Sequence, residues 1–272
     1  MGRRTLTGAL VLAVVAAAFL WDRARGGPAW ACAALVGALV VGATWELLTI
    51  GRAPRASGMV LCGAWLALAA WWGAGDGGAH GLLAMSLAAV LAFAALAVGL
   101  RAGPGPRTAA LVANAGVDVA LAGGLALLVP LLLRGELEVV FWLVIVAKTS
   151  DIAAYYTGGS LGRRPLVPRI SPKKTIEGAL GAIVGPALLA ATPWLPFAEG
   201  LGTLGAAALG AGLGVLAVVS DLVESLVKRS VGVKDSGALL GEAGGVLDLV
   251  DSLLLVAPLA WIALRPGAAS AV

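Results

Sequence analysis

Long apolar runs, each close to 20 residues, recur along the chain and are separated by short segments rich in Arg, Lys, Gly and Pro. A helix of about 20 apolar residues can cross the hydrocarbon core of a bilayer. A helix at the surface of a soluble protein keeps a polar face for water, and these runs have none. The pattern therefore predicts an all-α polytopic membrane protein with about nine transmembrane helices. The predicted spans cover residues 5–21, 28–49, 57–74, 80–100, 108–133, 137–157, 176–197, 200–220 and 245–264.

Composition supports a membrane protein, because 60% of the residues are hydrophobic and only 12% are charged. Soluble domains carry about a quarter charged residues. The opening Met-Gly-Arg-Arg before an apolar run resembles a signal peptide, but the further spans favour an uncleaved first helix. We expect two parts, residues 1–135 with helices 1–5 and residues 136–272 with helices 6–9 and the chemistry.

The basic residues are distributed unevenly between the two predicted sides of the membrane. Fourteen of the nineteen fall at the N-terminus or in the loops after spans 2, 4, 6 and 8. The positive-inside rule places that side in the cytoplasm. The prediction is a multi-pass protein of the cell (inner) membrane, with the N-terminus cytoplasmic and the C-terminus outside. The fourteen are Arg3, Arg4, Arg52, Arg55, Arg101, Arg107, Arg163, Arg164, Arg169, Lys173, Lys174, Lys228, Arg229 and Lys234.

Carboxylates concentrate between residues 220 and 252, which hold six of the chain's fifteen Asp and Glu residues. Asp221, Glu224, Ser225 and Lys228 have the spacing of one helix face. Grouped carboxylates repel one another unless cations hold them together. Their oxygens are the ligands that Mg²⁺ prefers. The alternative is a charged cytoplasmic loop whose acids and bases neutralise each other.

Asp248, Asp251 and Ser252 repeat this spacing after a pair of glycines, at the start of span 9. Span 8 descends to the cytoplasm and span 9 ascends from it, so Asp221 and Asp248 should meet at the cytoplasmic edge. Asp151, near the end of span 6, reaches the same depth. Lys148 lies three residues before it, so the two side chains should either form an internal ion pair or both line the site.

The remaining polar positions carry less information. The basic segment 157–178 suits a phosphate but contains no P-loop pattern. Asn114 and Asp118 favour a contact between helices over a substrate role, and Glu46 is interpreted as an interface or packing residue. Gly210 and Gly214 permit close approach of helices and leave a homodimer open. With a single histidine, His80, no histidine-based triad or zinc site can be built.

Several motifs follow one another between residues 151 and 251. In order they are Asp-x-x-Ala-Tyr at 151–155, Ser-Pro-Lys-Lys-Thr-x-Glu-Gly at 171–178, Asp-Leu-x-Glu-Ser at 221–225, Lys-Arg at 228–229, Lys-Asp at 234–235, Gly-Gly at 244–245, and Asp248 and Asp251. This set resembles the phosphatidate cytidylyltransferases (CDP-diacylglycerol synthases). The first half of the chain matches that family only as a run of apolar spans.

The chain departs from the family pattern at a few positions. A family His is Ala243 here, the Arg of Asp-Arg-x-Asp is Leu249, and Gly241-Glu242 replaces Pro-Gly. These changes remove a group that can exchange a proton and a fixed cation. They leave open a related protein that acts on another lipid phosphate or has lost activity.

The resemblance implies Mg²⁺-dependent transfer of a cytidylyl group from CTP to phosphatidate, giving CDP-diacylglycerol and pyrophosphate. A second cation is left open. The implied partners are CTP, the phosphatidate lipid and the membrane, with no nucleic acid. The expected catalytic residues are Asp221, Asp248, Lys228, Lys234 and Asp235. Substrate binding falls to Ser171, Lys173, Lys174, Ser225, Arg229, Gly244 and Gly245. The expected metal ligands are Asp221 and Asp248, then Glu224 and Asp251.

A transporter is the alternative from another functional class, with Asp118, Lys148 and Asp151 as a pathway. Transporters often contain repeated halves with broken helices. The sequence shows no such repeat, and its charge gathers at one face of the membrane. These features favour the enzyme.

Overall fold

The structure, a computed structural model, describes residues 2–50, 55–74, 124–192, 201–230, 232–237, 239 and 244–263. Span 4 and most of span 5 lie outside these residues. So do His80, Asn114, Asp118 and Ala243, and the predictions made for them carry no structural description.

The described chain is mostly helical, as the apolar runs predict. Its elements are, in order, α1 (Gly2–Arg25), α2 (Trp30–Ile50), α3 (Arg55–Ala74), α4 (Leu128–Leu133), α5 (Leu137–Leu161), β1 (Pro165–Val167), β2 (Ser171–Thr175), α6 (Ile176–Ala190), α7 (Gly202–Ser230), α8 (Val246–Val250) and α9 (Leu253–Ala263).

Two described helices are long and apolar enough to cross a membrane by length and composition. They are Trp30–Ile50 and Gly202–Arg229, and α6 is a shorter apolar helix. The helical prediction is confirmed, whereas the full set of nine spans stays a prediction.

A short β-hairpin follows α5, where the sequence predicts only the end of a helix. β1 and β2 are antiparallel, with Pro165 opposite Thr175 and Val167 opposite Ser171. The prolines of this segment stop a helix from continuing. α6 then begins at a cap, because the Thr175 hydroxyl accepts a hydrogen bond from the Gly178 N–H at 3.1 Å. The all-α prediction therefore misses two strands.

The predicted span 245–264 is two helices, α8 and α9, separated at Asp251 and Ser252. The Asp251 carbonyl accepts a hydrogen bond from the Ser220 hydroxyl of α7. The Asp251 side chain accepts the Ser252 N–H at 2.6 Å. Side chains thus satisfy backbone groups at the break. The bond from Ser220 keeps Asp251 next to α7.

Glycines allow α5, α6 and α7 to pack with their backbones close together. A Cβ added at Gly214 would overlap the Ala182 carbonyl of α6, and one at Gly210 would overlap that of Pro186. This confirms the close approach predicted from the Gly210–Gly214 spacing. Because both glycines contact α6 of the same chain, they give no support to a homodimer.

Helix α2 brings the N-terminal half of the chain to the same region. It packs against α8, and Gly42 lies under the Val246 side chain, where an added Cβ would come within 3.2 Å of Val246 Cγ2. Residues distant in sequence are therefore neighbours at the start of α8.

Candidate active site

Three carboxylates from α7 and the α8–α9 break form a cluster. Asp221, Glu224 and Asp251 each offer an oxygen within 4.8 Å of the others. Glu224 is 3% exposed; its Oε1 lies 2.7 Å from Lys228 Nζ, and its buried Oε2 has no hydrogen-bond partner among the described residues. Buried anions this close require cations. The donor set, three carboxylates of which Glu224 keeps one oxygen without a hydrogen-bond partner among the described residues, fits a hard divalent cation.

Lys228 joins this cluster to Asp248. Its Nζ lies 2.7 Å from Glu224 Oε1 and 2.7 Å from Asp248 Oδ1. Asp248 Oδ2 accepts hydrogen bonds from the Gly245 N–H at 2.9 Å and the Ser236 N–H at 3.3 Å. Asp248 thus lies beside the cluster, held by Lys228 and the loop before α8, whereas the sequence pairs it directly with Asp221.

A lysine from the hairpin reaches the other side of the cluster. Lys174 Nζ on β2 lies 2.6 Å from Asp221 Oδ2 on α7. The hairpin, which the sequence does not predict, therefore carries the Ser-Pro-Lys-Lys-Thr motif to the carboxylates. Lys173 precedes it on the same strand and is exposed.

Lys148, Asp151 and Ser252 form a hydrogen-bonded triangle behind Asp251. Lys148 Nζ donates to Asp151 Oδ2 and to Ser252 Oγ, both at 2.9 Å, and the Ser252 hydroxyl donates to Asp151 at 3.0 Å. Lys148 Nζ also lies 4.0 Å from Asp251 Oδ1. The predicted Lys148–Asp151 ion pair is confirmed, and the triangle supports the position of Asp251.

A cavity of about 510 Å³ opens next to these groups. Its polar wall comes from Asp151, Lys173, Lys174, Asp221 and the carboxylates of α8 and the break, Asp248 and Asp251. Its other wall comes from small residues of α5 and α6 together with Tyr155 and Leu166. Acidic, basic and apolar surfaces therefore meet in one space.

The remaining predicted site residues lie around this cavity without lining it. Arg229 donates hydrogen bonds to the carbonyls of Ile170 at 3.4 Å and Val233 at 3.3 Å. The bond to Ile170 connects the end of α7 to the turn of the hairpin, and the bond to Val233 holds the loop that follows α7. The backbone of Ser171 pairs with β1, Ser225 is half-buried on α7, and Lys234 and Asp235 are exposed. Of the two glycines, Gly245 donates to Asp248, and Gly244 adopts a φ of +99°, which favours glycine there.

Two polar residues near the site were not predicted to belong to it. Glu46, interpreted from the sequence as a packing residue, is 3% exposed and accepts hydrogen bonds from Ser236 Oγ and the Leu247 N–H, both at 3.0 Å. The sequence signal for Glu46 was its place as a carboxylate within an apolar span, because such a group faces protein rather than lipid. No sequence pattern places Ser236 there.

The model of the cytidylyltransferase family matches residues 2–266, nearly the whole chain. The chain belongs to the cytidylyltransferase family. The match includes the N-terminal half, which the motifs alone do not identify.

Individual relatives match this chain over a shorter stretch. A protein named as uncharacterised, YnbB of Escherichia coli, is 39% identical over 133 residues, 49% of this chain and 44% of its own length. The phosphatidate cytidylyltransferase of Brucella suis is 41% identical over 139 residues, 48% of this chain and 50% of its own. The phosphatidate cytidylyltransferase of Mycobacterium tuberculosis H37Rv is 40% identical over 138 residues, which are 46% of this chain and 38% of its own length. The chain thus spans about half, or less, of the length of the curated relatives it matches.

Proposed function

We propose that the protein transfers a cytidylyl group from CTP to phosphatidate, giving CDP-diacylglycerol and pyrophosphate. The observation that carries the proposal is the cavity in which four aspartates and the two lysines of the hairpin face an apolar wall. A nucleotide approaches from water and the lipid from the bilayer, so a common site must lie at their boundary. Relatives that carry the name phosphatidate cytidylyltransferase match 48% and 46% of the chain.

Asp221, Glu224 and Asp251 are the residues that would hold Mg²⁺. When bound, the ion supplies Lewis-acid stabilisation of phosphate oxygens. The carboxylates would fix the position of the ion, and the Lys148–Asp151–Ser252 triangle supports Asp251.

The lysines provide charge for the reacting phosphates. Phosphoryl-type transfer depends on positioning and on cations at the oxygens that gain charge. A phosphatidate phosphate oxygen forms a bond to the α-phosphorus of CTP, the bond from that phosphorus to the bridging oxygen of the β-phosphate breaks, and pyrophosphate leaves. Lys174 and Lys173 reach the cavity from the hairpin, and Lys228 reaches the cluster from α7.

The direct experiment incubates the purified full chain in lipid nanodiscs with CTP, Mg²⁺ and phosphatidate. We expect CDP-diacylglycerol and pyrophosphate in equal amounts, and neither product after chelation of the metal. If product formed with a different lipid phosphate but not with phosphatidate, the reaction would be the proposed one and the substrate would be that other lipid. No product with any lipid phosphate would contradict the proposal.

Leu249 tests whether the missing family arginine matters. Its side chain is partly buried against the apolar core of the described residues. We expect Leu249→Arg to keep or raise cytidylyltransferase activity, because a long side chain can extend its charge from that position. The measurement is turnover at saturating CTP, with Leu249→Met as the size-matched control. If Leu249→Arg lowered turnover tenfold or more while Leu249→Met left it unchanged, the pocket would be adapted to an apolar side chain at this position.

We also propose the nine-span arrangement, with the α7–α8 loop cytoplasmic and the C-terminus outside. Leu239 lies in that loop and is 58% exposed, so a cysteine placed there is open to a reagent on its own side of the membrane. In a chain with Cys32 and Cys62 replaced by Ala, Leu239→Cys should resist a membrane-impermeant thiol reagent in intact cells, and Ser270→Cys should react. The reverse pattern would contradict cytoplasmic access for CTP.

A further inference from the structure

Glu46 connects the N-terminal half of the chain to the loop that holds Asp248. It lies near the end of α2, and it is one of the charged side chains buried in the described part of the protein. Its Oε2 accepts the Ser236 hydroxyl and the Leu247 N–H, both at 3.0 Å. These two donors lie on either side of the loop, so one carboxylate oxygen holds both of its ends.

The backbone around Glu46 is shaped to admit the carboxylate. A Cβ added at Gly237 would lie 2.6 Å from Glu46 Oε1, and one at Gly245 would overlap both Glu46 and Ser236. Both loop ends therefore have glycine where the carboxylate approaches the backbone. This close approach specifies the loop position more tightly than apolar packing would.

The same two ends of the loop also supply donors to Asp248, and Ser236 donates to both carboxylates. The Ser236 N–H and the Gly245 N–H both bond to Asp248 Oδ2, and Asp248 Oδ1 accepts from Lys228 at 2.7 Å. A chain of contacts thus runs from Glu46 through the loop to the lysine beside the carboxylate cluster.

We propose that Glu46 is a positioning residue for cytidylyl transfer, acting as a hydrogen-bond acceptor that fixes the 236–245 loop ends and, through them, Asp248 and Lys228. This inference rests on the proposed function. It assigns the N-terminal half a specific task at the site, where the sequence motifs show none.

Glu46→Leu and Glu46→Gln separate this role from simple packing. Leucine fills similar space but accepts no hydrogen bond, whereas the glutamine carbonyl oxygen can accept both. We expect Leu to lower kcat by about tenfold or more, with KM for CTP changed less than threefold. Glutamine should stay within threefold of the unchanged protein in both constants.

Thr44→Val is the matched control on the same helix. The Thr44 hydroxyl is buried and, among the described residues, donates within α2, to the Val40 carbonyl at 2.8 Å. Its loss perturbs α2 without touching the loop, so kcat should change less than twofold. Full activity in Glu46→Leu, or equal losses in Glu46→Leu and Glu46→Gln, would overturn the proposal.

Hydrogen exchange gives a readout that does not need turnover. Amides of residues 244–247 should exchange at least about tenfold faster in Glu46→Leu than in Glu46→Gln or Thr44→Val. If the unchanged protein makes no CDP-diacylglycerol but this difference appears, the proposed reaction is wrong and the loop attachment stands. Equal exchange in all variants would overturn the attachment, whatever the activity.

Discussion

Asp221→Asn should lower turnover of CTP and phosphatidate by at least about a hundredfold, the scale of about 2.7 kcal/mol of lost transition-state stabilisation. The change keeps the side-chain shape but removes one negative charge from the cluster of Asp221, Glu224 and Asp251. It also removes the charge that faces Lys174 Nζ at 2.6 Å. The Mg²⁺ concentration for half-maximal activity should rise at the same time.

Glu138→Gln is a matched control for Asp221→Asn. Glu138 is an exposed carboxylate at the start of α5, paired with Arg23 at 3.5 Å and remote from the cavity. Its loss should leave turnover and Mg²⁺ dependence unchanged. Both variants should insert and purify normally, since removing one of three clustered charges relieves repulsion. Near-normal turnover in Asp221→Asn with unchanged Mg²⁺ dependence would contradict the metal site.

Local spacing predicted much of this arrangement because helices convert sequence distance into geometry. Asp221, Glu224 and Lys228 share a face of α7, and Lys148 and Asp151 pair on α5, as i, i+3 and i+4 positions do. The Gly210–Gly214 spacing likewise predicted a close helix contact. Apolar run length located where most of the described helices begin, but not where they end, since α7 continues past the predicted end at residue 220 to Ser230.

Features that depend on long-range contacts were not readable from the sequence. The break in span 9 arises because Ser220 on α7 bonds the Asp251 carbonyl, a contact between residues far apart in the chain. The same break carries Asp251 into the cluster, while Asp248 turns to Lys228. Glu46 meets Ser236 across 190 positions, so neither residue indicates the other locally. Strands of three and five residues are too short for an alternating pattern to be recognised.

Asp248→Asn should also cost about a hundredfold in turnover, for a different physical reason. Both Asp248 oxygens accept hydrogen bonds, one from Lys228 and the other from two backbone N–H groups. The carboxamide has a single acceptor oxygen, so its NH₂ group must face either the ammonium or the backbone donors. One side of the contact is lost, and a charge-assisted bond becomes neutral.

The Mg²⁺ dependence distinguishes the two aspartates. Asp248 lies outside the three-carboxylate cluster, so Asp248→Asn should lower turnover at saturating Mg²⁺ with little shift in half-maximal Mg²⁺, whereas Asp221→Asn shifts it. Because Asp248 acts with Lys228, Lys228→Met combined with Asp248→Asn should cost little more than the more damaging of the two single changes. A Mg²⁺ shift in Asp248→Asn as large as that in Asp221→Asn would instead make Asp248 a metal ligand, as the sequence alone predicts.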